Sequence, residues 1–138
     1  MAWSLFKREA EKFGTQLQKV LESPSTFQKR ISSAIDLFYR FFDEDPMTFS
    51  FILLTEHGFP QNWKISPDVN PYSLVLNFLK KGKKAGVFHF DDSRLATAMV
   101  LGLVLEPALQ CATQNLKGPM LRRAPYVYEG CMKVLESK

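Results

Sequence analysis

An all-α fold is predicted by three features of this 138-residue chain. Apolar residues recur three and four positions apart along most of its length, the spacing of one helix face. Proline and glycine fall between those stretches, in the order that helix starts and stops require. No stretch shows the alternation of a half-buried strand, nor any internal repeat. A chain of this length forms one domain, residues 1–138, and buries roughly two thirds of its unfolded surface.

Six helices are expected. The first covers residues 2–21, where Trp3, Phe6, Ala10, Phe13, Leu17, Val20 and Leu21 share a face opposite Lys7, Glu11, Lys12 and Gln18. Ser23-Pro24-Ser25 ends it. Ser25 and Gln28 have capping-box spacing and open a second helix, to about residue 42, with Phe27, Ile31, Ala34, Ile35, Phe38, Phe41 and Phe42 on one broad face. Asp45-Pro46 is a cap followed by proline at the first helical position, starting a third, very apolar helix over residues 47–56. A loop at 59–70 holds Pro60, Trp63 and Pro67, and is long for a compact domain.

Asn70-Pro71 repeats the cap-plus-proline signal for a fourth helix over 71–84, with Leu74, Val75, Phe78 and Leu79 inward. After Gly86 and an extended VFHF stretch, Asp91-Asp92-Ser93 caps a fifth helix, 93–115, which Pro107 should kink. Gly118-Pro119 opens the sixth, to about residue 137, with a wide apolar face from Met120 to Leu135.

The fifth helix is apolar on every side. Leu95, Met99, Gly102 and Leu109 fall on one face, and Val100, Leu101, Val104, Leu105 and Ala108 on the opposite one. A helix apolar all round needs burial all round, and a domain this small has little material to surround it. One face is therefore expected to meet the chain's own core and the other a second copy. With the surplus on the sixth helix, this predicts a homodimer through a four-helix bundle, two helices from each subunit. The seam is assigned to Leu101, Val104, Leu105, Ala108, Leu121, Tyr128 and Met132.

Composition narrows the function. A hydrophobic share of 46% and a charged share of 23% are ordinary for a globular protein, while twelve Phe and two Trp are a heavy aromatic load. The net charge of +4 is modest, and no basic stripe with interleaved aromatics suits direct nucleic-acid contact. Lys80, Lys81, Lys83 and Lys84 sit where cations favour the helix dipole; a phosphate patch is the alternative. Cys111 and Cys131 are too few for a disulfide framework and lack zinc spacing. With no signal-peptide pattern, a reducing cytoplasm is the expected compartment. The apolar run at 95–112 is broken by Glu106, Pro107 and Gln110 and is not expected to span a membrane.

The order of these features resembles the C-terminal regulatory domain of the TetR (tetracycline-repressor-like) family of bacterial transcription regulators. AWSLFKREAEKF is similar to the helix that follows the family's DNA-binding headpiece, and LFYRFFDEDPMTFSFIL to the next two regulatory helices with their acidic-Pro junction. FLKKGKKAGVFHFDD, followed by the Leu-rich helix with Gly102, resembles the segment leading into the dimerisation helices, and LKGPMLRRAPYVYEGCMKVL resembles the last one. The resemblance covers essentially the whole chain. It implies a six-helix TetR-type regulatory domain with a two-helix-per-subunit dimer bundle, binding a small apolar effector. The family's helix-turn-helix headpiece has no counterpart here, since Met1-Ala2 stands at the connecting helix. This polypeptide is therefore expected to meet DNA only through a headpiece that it does not carry.

Mapped onto this chain, the family's inducer cavity implies Phe38, Phe42, Phe49, Ile52, Trp63, Tyr72, Phe78 and Met99 as lining, with His57, Asn62 and Tyr72 as polar anchors. A solid core is the alternative for each ring. His57, before Gly58, suits a helix C-terminus as well as a ligand. Glu106 is open to three roles: pairing with Arg122 or Arg123, binding a cationic ligand, or reaching solvent. Asp45 is explained by capping, and solvent suits Asp43 and Glu44. No phosphate loop, nucleophile elbow or zinc spacing is present, so no catalysis, cofactor or metal is expected. Two rivals share the fold: a stand-alone module that binds a hydrophobic molecule, and a headpiece-less partner of a full-length regulator.

Overall fold

The computed structural model describes residues 2–54 and 69–136, and the side chains of residues 7–53 and 69–136. Six α-helices run through the described residues: α1 Ala2–Leu21, α2 Phe27–Glu44, α3 Pro46–Phe49, α4 Pro71–Lys84, α5 Ser93–Ala112 and α6 Ala124–Glu136. No strand occurs among them, in agreement with the all-α class. The expected loop lies outside the described residues except at its end, as do the Trp3 and Phe6 side chains and the far end of the third helix.

α1 and α4 have the bounds expected from their periodicity. α2 starts later than Ser25 suggests, because the Ser25 amide is used in a turn, bonding the Ser23 carbonyl at 2.9 Å. Thr26 is the cap instead, its hydroxyl accepting from the Lys29 amide at 3.0 Å. Arg30 then closes the α1–α2 corner. Its guanidinium donates to the Leu21 carbonyl at 3.0 Å and the Ser25 carbonyl at 3.1 Å, while lying 4.4 Å from the centre of the Phe27 ring. It thus satisfies a terminal carbonyl of α1 that has no partner within its own helix.

α3 begins as expected, with the Asp45 carboxylate accepting from the Thr48 amide at 3.2 Å and Pro46 in the first turn. It lasts only four residues, and a π-helical turn follows at Ser50–Leu54. α4 is capped by Asn70 and ends in a two-bond glycine motif: Val87 N–H bonds Gly82 C=O at 2.9 Å, and Gly86 N–H bonds Lys83 C=O at 3.0 Å. Gly86 carries the positive φ of 79° that this ending requires. Phe88 then folds back onto buried Gly82; a Cβ there would lie 2.1 Å from its ring.

α5 is capped by Asp92, which accepts from Arg94 and Leu95, and stops at Ala112 because Thr113 turns its hydroxyl onto the Leu109 and Gln110 carbonyls. α6 begins later than Gly118-Pro119 suggests, after a short 3-10 turn at Leu121–Arg123.

α2 lies at the centre, packed against α1, α3, α5 and α6, while α4 bridges α1 and α5. Ring contacts divide the aromatic core in two. Phe13, Phe38, Phe41, Phe42 and Phe49 interlock at one end of α2, with centroids 4.9–5.4 Å apart. Phe27, Phe78 and Phe88 form the second group, at 5.5–6.0 Å. All of these contacts are edge-to-face or tilted, as ring quadrupoles favour.

Candidate functional site

Of the residues mapped to an effector cavity, Phe38, Phe42, Phe49, Ile52 and Phe78 are buried. Phe42 meets Phe49 edge-on at 5.1 Å, and Phe38 meets Phe13 at 4.9 Å. Phe78 belongs to the other ring group, so the structure does not bring it to the Phe42–Phe49 cluster. Two mapped residues lie at the surface rather than the core. Tyr72 occupies the outer first turn of α4 and is 37% exposed; Met99 is 45% exposed. Met99 neighbours buried Val100, and one step along a helix is about a 100° rotation away from the inward row. His57, Asn62 and Trp63 fall outside the described residues.

The seam residues need reassignment. Val104 at 2% exposure, Ala108 at 0% and Met132 at 6% are inside this chain's own core, and Leu101, Leu105, Leu121 and Tyr128 are half-buried against it. The inward row of α5 is Ala96, Val100, Val104 and Ala108, one residue in every four. Their small side chains form a shallow ridge that lets α5 approach its neighbours closely. The bulkier residues are left outside: Leu95 is 56% exposed, and Met99, Leu103 and Leu109 are exposed beside Gly102. Nothing lies within 4 Å of a Cβ placed on Gly102. The outer side of α6 is mostly polar, with Glu129, Lys133 and Glu136 exposed around Tyr126, so its apolar surplus is largely absorbed within the chain.

Asp43 is also corrected. Its carboxylate is half-buried and partnered rather than left to solvent. Oδ1 accepts from Met120 N–H at 2.8 Å and Oδ2 from Leu121 N–H at 2.9 Å, capping the turn that opens α6. One turn earlier on α2, buried Tyr39 donates its hydroxyl to the Val104 carbonyl at 2.8 Å. Burial raises the Tyr39 phenol well above its ordinary pKa and pushes the Cys131 thiol up to about 12. The half-buried Cys111 thiol is raised too, chiefly by desolvation, and lies 3.1 Å from the Met120 sulfur.

Glu106, Lys83 and the His89 backbone have structural partners. Exposed Glu106 accepts from Gln110, one turn on, at 2.8 Å. Lys83 stands 5.1 Å from the centre of the Phe90 ring, in the last turn of α4. The His89 amide bonds the Leu135 carbonyl at 2.7 Å, tying the α4–α5 connection to α6. Among the described residues, no group of three or more His, Cys, Asp or Glu side chains is placed to hold a metal. A shallow groove of about 300 Å³ runs between α1 and α2, floored by Phe13, Leu37 and Phe41 and rimmed by Glu9, Lys12 and Arg40. α5 is long and apolar enough to cross a membrane by length and composition alone, but one of its faces is core packing.

Sequence reasoning missed Asp43 and Gly14. A Cβ on buried Gly14 would fall 1.9 Å from the Val69 carbonyl oxygen, so α1 and the turn leading into α4 touch through backbone. The bond from Asp43, 77 residues away from Met120, leaves no local signal in the sequence.

No protein-family model matches the chain, and no curated protein matches it. Among solved structures, the chain is similar to one described as the fatty acid degradation regulator FadR from Bacillus halodurans, with a TM-score of 0.74 and 17% identity, over 95% of this chain and 70% of that one. The six-helix arrangement is therefore a fold that this chain shares with a regulator.

Proposed function

We propose that this chain is the effector-sensing and dimerising part of a TetR-like bacterial transcriptional regulator, working in the cytoplasm as a homodimer. The observation that carries the reading is the exposed apolar stripe Leu95, Met99, Gly102 and Leu109 on a helix whose opposite face is core. Scattered apolar residues are ordinary on a surface, but apolar residues aligned on one helix face, interrupted here by Glu106, mark an interaction face. Gly102 removes the side chain that would hold a partner helix away, and a two-fold axis through the stripe makes it self-complementary. The fold shared with FadR of Bacillus halodurans supports a regulator over an enzyme.

The effector in this reading is a small apolar molecule held near Phe38, Phe42, Phe49 and Ile52, with His57, Asn62 and Trp63 available as further lining or polar anchors. The π-helical turn at Ser50–Leu54 beside these rings supports that placement, since such turns often accompany functional sites. Binding there shifts the balance between two arrangements of the helices by its differential affinity for them. In this reading any DNA contact is made through a headpiece outside these residues.

Sedimentation velocity tests the association, and native mass spectrometry tests both association and a co-purifying apolar molecule. A dimer that Met99→Glu converts to a folded monomer is expected. A chain that stays monomeric at high concentration overturns the reading.

A further inference from the structure

The inward side of α5 and the aromatic cluster at Phe42 and Phe49 are joined by one turn of α2. Tyr39 and Asp43 are four residues apart and therefore share a face of that helix, with Phe42 between them in sequence. Tyr39 holds α5 at the Val104 carbonyl, and Asp43 holds the start of α6 at two consecutive amides. A bidentate, charge-assisted contact fixes direction as well as distance. The connection between α5 and α6 is exposed from Thr113 to Pro119 and becomes buried at Met120, where Asp43 grips it. At the other side of the same turn, Phe42 meets Phe49 at 5.1 Å with ring planes 87° apart. A helix is stiff over one turn, so a shift of the α2 backbone at Phe42 moves both attachment points together.

We propose that Tyr39 and Asp43 form a two-point strut through which the packing of Phe42 and Phe49 sets the pose of α5 and of the turn opening α6. Both are positioning residues. The proposal rests on the effector-sensing reading for its biological use, since a ligand that separates those rings would then reshape the α5 face. Its physical content is independent of that reading.

Amide hydrogen exchange at Met120 and Leu121 reads the strut directly. Asp43→Ala is expected to speed exchange at both amides by on the order of tenfold or more, as loss of a charged hydrogen bond implies. Asp43→Asn, which keeps one acceptor, should fall between. Phe49→Leu is expected to speed the same amides several-fold with Asp43 present and to add nothing in the Asp43→Ala background. Equal acceleration by Phe49→Leu in both backgrounds overturns the strut. Near-native circular dichroism of each variant guards against unfolding, and Tyr39→Phe, read at the amides around Val104, provides a milder second probe. A monomeric chain would sink the dimer reading while leaving the exchange result to decide the strut.

Discussion

The hydroxyl of Tyr39 donates to the backbone carbonyl of Val104 at 2.8 Å, across 65 residues of sequence and with both residues buried. It anchors α5 to the central helix one turn before Pro107, the residue that cannot donate a helical hydrogen bond of its own. Tyr39→Phe keeps the ring and removes the donor. It should lower unfolding free energy by about 1 kcal/mol, seen as a lower urea midpoint at unchanged slope.

Two glycines are set by contact rather than by turn geometry. Gly82 accepts the Phe88 ring and Gly14 accepts the Val69 backbone. Gly14→Ala forces two backbones apart and is expected to destabilise by roughly 2 kcal/mol or more. Gly82→Ala meets a side chain that can swing away, so its effect should be smaller. Thermal melts of the two variants give the order directly, and the reverse order would refute this account of Gly14.

Charge on α5 should act according to side. Leu95→Glu or Met99→Glu on the outer face should leave the melting temperature of a single chain nearly unchanged while reducing the sedimenting mass. Val104→Glu buries a carboxylate without a partner and should prevent folding. Equal loss of folding from both sides would mean that the outer face is also core.

Alkaline pH should weaken the fold. The Cys131 thiol titrates near its ordinary 9.0 when unfolded and at about 12 when folded. The unfolded chain therefore loses its proton first, and the stability present below pH 9 is lost progressively as pH rises toward 12. Tyr39 adds to the loss above its ordinary 10.0, by the same sign. A pH series of urea midpoints checks this, and Cys131→Ala should flatten its first part. Thiol labelling at neutral pH should reach half-buried Cys111 well before Cys131.

Much of the chain is legible locally. Asp45-Pro46, Asn70-Pro71 and Asp92 each cap the helix that their chemistry announces, and Gly86 ends α4. Such signals act within a turn of their own residue, so one strand of text contains all their terms. The aromatic residues were readable as buried, but not which ring meets which. Phe78 and Phe42 look equivalent in sequence and belong to separate groups because α4 and α3 approach different ends of α2.

The amino-acid order alone determined that this protein is all-α, where most helices begin, and that α5 carries more apolar surface than one face needs. Only the tertiary structure decided which side of α5 faces inward, because a helix apolar all round has no phase to read. It also decided that Asp43 caps α6 and that Gly14 marks a backbone contact. Those roles are created by partners distant in sequence, and their energies exist only once the helices have packed.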